Sequence, residues 1–307
     1  MNAEQHAVNH ELPSSPPPAL SDAHVVIIGM GLMGASLGYD LRGHVRRVTG
    51  VVRRPEAVAE TEASGCVDDA TLDARAAVAE ADMVILATPV RTILRQIQEL
   101  GPSMKPGAAL IDMGSTKTEI CRAMAALPEH VQPVGGHPMC GKETAGLAAA
   151  EPGLYRDCTF VLCPLPHTSP QALKLAHALV AHIHARPLVL EPERHDRLVA
   201  AISHLPYLAA SGLVAHVMAV AEEDDRVWRV AASGFRDASR VAASDIRMML
   251  DILLTNQEAV LAAVDDFIGQ IGDLRQALTS GDEDRLRSRL EAIAQARRTW
   301  EKNRKTH

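Results

Sequence analysis

Three runs in this 307-residue chain carry residue types able to do chemistry at close spacing. The first is Asp112-Met113-Gly114-Ser115-Thr116-Lys117. The second is Gly135-Gly136-His137-Pro138-Met139-Cys140-Gly141. The third is Ser203-His204-Leu205-Pro206-Tyr207, followed by Gly234-Phe235-Arg236-Asp237-Ala238-Ser239-Arg240. A histidine titrates near neutral pH, so His137 can take a proton from a reacting hydroxyl. The Ser115 hydroxyl can orient that histidine or the substrate. Glycines on both sides of His137-Pro138 suggest a close approach by a ligand, against the alternative of a plain turn. Lys117 reads equally well as a site cation or a surface charge. Cys140 has no base assigned to it and reads as a small packing residue.

A fourth run explains what would face these groups. Gly29-Met30-Gly31-Leu32-Met33-Gly34 is a G-x-G-x-x-G that follows the apolar run Val25-Val26-Ile27-Ile28 and opens a helical segment. In that setting Gly29 permits a tight turn, Gly31 lets a pyrophosphate approach the backbone, and Gly34 lets helix and strand pack closely. The amides of Leu32 and Met33 then stand at a helix N-terminus, where an anion is favoured. The run predicts a dinucleotide site. Proteins of this kind that prefer NAD usually carry a carboxylate about 20 residues on. This chain has Val51-Val52-Arg53-Arg54-Pro55 there. Two guanidinium groups suit a ribose 2′-phosphate, so NADP preference or dual use of NADP and NAD is expected, the alternative being two solvated loop charges.

The elements that must position these residues follow from hydrophobic periodicity. Strands are expected at 24–28, 45–52, 83–87, 108–112 and 159–162, with helices between most of them. Ser115 and His137 then both follow strand-like segments, at the end of an open sheet where ligands bind. After about residue 192 the strand signals stop. Helices are expected at 193–221, 222–233, 238–279 and 282–304, with breaks near Gly234 and Gly281. The fold class is α/β, a Rossmann-type parallel sheet domain followed by an all-α domain. The expected division is a disordered tail at 1–22, rich in proline, then a dinucleotide domain at 23–192 and a helical substrate and dimerisation domain at 193–307.

Composition bounds the function. A net charge of −7 gives no overall attraction to nucleic acid or an anionic membrane. Five cysteines without a C-x-x-C pair argue against a disulfide framework or zinc site, and no metal-ligand cluster stands out. A reducing, cytoplasmic setting is expected, and no secretory signal opens the chain. Leu198–Ala221 holds no Asp, Glu, Lys or Arg and is long enough to span a bilayer. Its Ser, His, Pro, Tyr and Gly residues favour instead a helix covered on all sides, as in a homodimer.

Taken together, G-M-G-L-M-G-A-S-L at 29–37, D-M-G-S-T-K at 112–117, G-G-H-P-M-C-G at 135–141, S-H-L-P at 203–206 and G-F-R-D-A-S-R-V-A at 234–242 make the chain resemble the prephenate/arogenate (cyclohexadienyl) dehydrogenase family. The resemblance runs from His24 to about residue 300. It implies oxidative decarboxylation in tyrosine biosynthesis, with hydride passing to NAD(P)+. It implies that His137 is the catalytic histidine and that Ser115 bridges the ring hydroxyl, the histidine and the cofactor. Arg240 would bind a substrate carboxylate, its rival role being a structural pair with Asp237 or Asp245. His204 would line the substrate pocket, its rival role being a hydrogen-bonded core histidine.

Two departures bear on substrate choice. Tyr207 stands where many prephenate-using members have histidine, and Ser244–Met249 lacks the proline and tryptophan of S-x-P-x-M-W. Prephenate and arogenate differ only as keto acid against amino acid, so one pocket residue could reverse the preference. No room is expected for an appended mutase or regulatory domain. The rival readings are a β-hydroxyacid dehydrogenase, whose catalytic lysine motif is not evident, and a non-catalytic NADP-binding regulatory protein.

Overall fold

The structure is a computed structural model that describes residues 19–304 apart from Glu143. Most of the expected tail, residues 1–18, lies outside the described residues. Its last part is ordered: Leu20–Asp22 forms a 3-10 turn, and Leu20 packs on the core.

Eight strands form one sheet. They are β1 (His24–Ile28), β2 (Arg47–Val51), β3 (Asp69–Thr71), β4 (Met83–Leu86), β5 (Ala109–Asp112), β6 (Gln132–Pro138), β7 (Thr159–Pro164) and β8 (Arg186–Val189), in the order β3-β2-β1-β4-β5-β6-β7-β8. Strands β1 to β6 are parallel, as the alternating pattern predicts. The β6–β7 pair is antiparallel, with His137 opposite Val161, so the expectation of a wholly parallel sheet is corrected. The physical reason lies in residues 139–158. Among the described residues there, the one helical element is a 3-10 turn, and without a crossover helix the chain returns antiparallel.

Successive strand residues point to opposite faces. Val25, Ile27, Met83, Ile85, Ala109 and Ile111 belong to one apolar cluster, with Ala35, Leu37 and Leu41 of α1 (Leu32–Leu41). Val26, Ile28, Val84, Leu86 and Leu110 belong to a second cluster on the other face. Its helical partners are Ile93 and Ile97, from the helix Val90–Leu100, and Ile120 and Met124, from the helix Thr118–Ala125. The central strands are buried on both faces, which is why they read as continuous apolar runs. Continuing in chain order, the helices between the strands are α2 (Pro55–Ser64), α3 (Ala74–Glu80), α4 (Val90–Leu100), α5 (Thr118–Ala125) and α6 (Pro170–His182).

From Pro192 the chain is helical: α7 (Pro192–Val199), a π-helical turn (Ala200–His204), α8 (Leu205–Glu223), α9 (Val227–Val230), α10 (Ser233–Ser239), a 3-10 turn (Arg240–Ala243) and α11 (Ile246–Thr255). The π turn has a local cause. Pro206 cannot donate to the carbonyl four residues back and crowds it, so the helix widens there. The break expected near Gly234 falls at Ala231–Ala232, Gly234 itself lying inside α10.

The chain forms two compact units, Met1–Gln257 and Glu258–His307. The helices up to α11 share a unit with the sheet because α7 packs on α5 and α11 packs on α4. Arg91 of α4 also pairs with Asp251 of α11. The second unit holds α12 (Gln257–Ser280) from its second residue on, and α13 (Glu283–Arg304), joined through Gly281 at φ +66° and bridged by Arg289 to Asp273 at 2.9 Å.

Candidate active site

The sheet reverses its winding between β1 and β4, and the glycine loop lies at the C-terminal end of β1 at that point. Gly29 has φ +102°, and a Cβ there would stand 2.8 Å from the Ala87 carbonyl oxygen. A Cβ on Gly34 would stand 2.1 Å from the Gly29 carbonyl oxygen, so helix α1 can approach only with glycine at that position. Gly31 is different: a Cβ there would meet nothing within 4 Å. It opens α1, and no side chain caps that helix end. The amides of Leu32 and Met33 stand in the first turn of this uncapped helix, next to the open space at Gly31, an arrangement that fits a pyrophosphate. Arg53 and Arg54 follow β2, both exposed, and neither side chain has a hydrogen-bond or ion-pair partner among the described residues.

His137 is not in a loop after a strand. It is the next-to-last residue of β6 and half-buried. The glycines before it serve the protein. A Cβ on Gly135 would stand 2.6 Å from the Cys121 sulfur, and one on Gly136 2.3 Å from the Asp112 carbonyl oxygen. They let β6 press against β5 and α5, which corrects the reading that both make way for a ligand. Burial is the main force lowering the His137 pKa well below that of an ordinary histidine, and the neighbouring His195, Lys117 and His204 lower it further. At neutral pH the ring is an uncharged base.

Behind His137 stand two residues that the motifs did not single out. His137 Nδ1 lies 2.8 Å from His195 Nε2, and His195 Nδ1 lies 2.8 Å from Asp196 Oδ1. Asp196 also accepts the backbone amides of Lys117 at 2.7 Å and Thr118 at 2.8 Å, at the start of α5. Burial pushes its carboxyl up, but the bonds from His195, Thr118 and Lys117 outweigh that and hold it below the usual range. The only sequence signal was a His-Asp dipeptide near the start of α7, 58 residues from His137.

Lys117 is not a surface charge. Its ammonium pairs with Asp112 at the end of β5, both side chains wholly buried. Asp112 further accepts the amides of Gly114 at 2.8 Å and Gly136 at 2.9 Å, tying the Ser115 loop to β6. Ser115 itself is half-buried between them. Thr116 is held by Thr255 of α11 at 2.8 Å.

His204 ends the π turn, buried, with Nδ1 3.2 Å from the Asn256 amide nitrogen. Asn256 also donates to the Asp196 carbonyl at 2.8 Å. Burial lowers the His204 pKa to about 4; the Asp196 carboxylate opposes this and His195 adds to it. Tyr207 is three residues on, on the same helix face. Arg240 is exposed at the head of its 3-10 turn, which packs on α8. Asp237 pairs with Arg236 at 3.0 Å, and Asp245 caps α11 at Met248. His137 and His204 thus belong to one network, with Ser115 on the adjoining loop. Tyr207 and Arg240 sit on the helical elements beyond it.

A doubly wound sheet with an open glycine cradle, and an uncharged histidine at the same C-terminal edge, define a nicotinamide-dependent dehydrogenase. Residues 37–189 match the nucleotide-binding domain of prephenate dehydrogenase and residues 191–292 match its dimerization domain. The chain belongs to the prephenate dehydrogenase family. It is 34% identical to the cyclohexadienyl dehydrogenase of Zymomonas mobilis, over 89% of this chain and 94% of that one. Its fold matches the Synechocystis arogenate dehydrogenase at a TM-score of 0.81 and 28% identity, over 90% and 99% of the two chains. It matches the Aquifex aeolicus prephenate dehydrogenase, solved with hydroxyphenyl propionate and NAD+, at 0.85 and 28%, over 91% and 99%.

Proposed function

We propose that this chain carries out the oxidative decarboxylation of prephenate, arogenate or both, in tyrosine biosynthesis, with hydride passing to a nicotinamide dinucleotide. The observation that carries this reading is His137, kept neutral by burial on the sheet edge that bears the glycine cradle. In the reaction the carbinol carbon loses hydride and its hydroxyl loses a proton. The ring–carboxylate bond then breaks, CO2 leaves, and the electron pair completes an aromatic ring. When bound, the oxidised nicotinamide supplies the hydride acceptor.

The chain's own residues supply the rest. His137 accepts the hydroxyl proton, a role worth roughly a hundredfold or more in rate. Ser115 bridges hydroxyl, histidine and cofactor. Arg240 grips a carboxylate in two-point fashion. His204 and Tyr207 shape the pocket for the substrate side chain. Gly29, Gly31, Leu32, Met33 and Gly34 hold the pyrophosphate, and Arg53 and Arg54 favour NADP through its 2′-phosphate.

The division of labour follows the strand-to-helix change, with dinucleotide binding in 23–192 and substrate binding and dimerisation in 193–307. The continuous helical stretch Pro192–Glu223 has the length and hydropathy to cross a membrane. The match of this region to a dimerization domain supports cover by a second copy instead, in a homodimer, and we place that homodimer in the cytoplasm. The match to both domains favours this reading over a β-hydroxyacid dehydrogenase or a non-catalytic regulatory protein.

The test is reduction of NAD and of NADP, each with prephenate and with arogenate, with CO2 measured alongside. One CO2 per reduced cofactor, for at least one pair, is expected. No reduction with any pair, by protein that binds dinucleotide, would refute the proposal.

A further inference from the structure

We infer that His195 and Asp196 are positioning residues that fix the proton-accepting tautomer of His137. The inference rests on the proposed role of His137 as the base and adds the reason its outward nitrogen is free to accept.

Both Asp196 oxygens face donors, the Lys117 amide at Oδ1 and the Thr118 amide at Oδ2. A carboxylate so placed is ionised and only accepts, so His195 Nδ1, 2.8 Å from Oδ1, carries a hydrogen. A neutral His195 then has a lone pair at Nε2. His137 Nδ1, 2.8 Å away, must donate to it. The hydrogen of neutral His137 is thereby committed to Nδ1, and Nε2 is left as the lone-pair nitrogen.

The Lys117 ammonium, buried and paired with Asp112, acts against a positive charge on the His137 ring. Asn256 donates toward His204 Nδ1, so His204 presents an acceptor there and adds no charge. When His137 takes a proton, the new imidazolium keeps its Nδ1–H on His195, with the Asp196 charge one ring further on. This is the logic by which a buried aspartate orients a catalytic histidine, here with a second imidazole interposed.

The test uses the full-length enzyme, 15N-labelled at histidine, together with two variants. His195→Gln places an amide oxygen near the Nε2 position and keeps an acceptor for His137. His195→Asn reaches only to the Nδ1 position and removes it. In the wild type the His137 nitrogen spectrum should show Nδ1 protonated and Nε2 unprotonated. His195→Asn should mix the tautomers and lower kcat by roughly tenfold to a hundredfold, with dinucleotide affinity unchanged. His195→Gln should retain the wild-type tautomer and most of kcat.

Asp196→Asn should move the acidic limb of kcat/KM to lower pH, because His137 loses a charge that favours its protonated form. The other titratable groups acting on that ring, Lys117 and His204, stay in place. Wild-type His137 protonated at Nε2, or a tautomer and kcat unmoved in His195→Asn, would overturn the inference. If the wild type turns over neither prephenate nor arogenate, the functional proposal fails, and the wild-type nitrogen spectrum alone decides this one.

Discussion

Lys117 and Asp112 form an ion pair from which water is wholly excluded, five residues apart across the loop that carries Ser115. Burying two charges is costly, and such a pair survives because the remaining lone pairs are satisfied, here by the Gly114 and Gly136 amides. The pair joins β5, the Ser115 loop and β6, and so sets the distance between Ser115 and His137.

Removing one partner strands the other. Lys117→Met should destabilise the protein by about 3–5 kcal/mol, read as a lowered urea midpoint. In variant protein that remains folded, the acidic limb of kcat/KM should move to higher pH, since the Lys117 charge helps hold the His137 pKa down. An unchanged midpoint would show that the pair contributes nothing to the scaffold.

Acid should weaken the fold through His204. Its pKa is about 4 in the folded chain against 6.5 when unperturbed. Between those values the unfolded chain holds more protons, so stability rises with pH and is lost as pH falls from about 7 toward 4. The contribution is on the order of 3 kcal/mol at neutral pH. Thermal midpoints at pH 7.5 and 5.0 should differ less in His204→Asn, with a residual slope from His137. Equal slopes in the two proteins would refute this.

Cofactor choice should rest on Arg53 and Arg54. Charge-assisted hydrogen bonds to a phosphate contribute about 1.5–3 kcal/mol each. Arg53→Ala with Arg54→Ala should weaken NADP binding roughly tenfold or more and leave NAD binding nearly as it was. Equal effects on both dinucleotides, in a titration of protein fluorescence, would remove the arginines from cofactor selection.

The parts legible in the sequence were those with a local pattern. Apolar runs marked β1, β4 and β5, and G-x-G-x-x-G between strand and helix marked the cradle. Strand β6 was hidden because Pro133, Gly135, Gly136 and Pro138 lack strand propensity; its place in the sheet comes from close packing that the two glycines permit. Lys117 read equally well as a site cation or a surface charge, because its partner Asp112 is reached only when the loop turns back. His195 and Asp196 carried no motif, and their meaning appears only when α7 packs on α5 and brings them to His137. Charge, shape and partner are properties of the folded contact, and a residue type cannot disclose them.

The central claim is that His137 is the base of the oxidation, and the most direct measurement is turnover by His137→Asn with the best substrate and cofactor pair. The variant should bind dinucleotide as the wild type does while kcat falls by about a hundredfold or more. Turnover close to that of the wild type would contradict the account, and the proton would have to leave by another group.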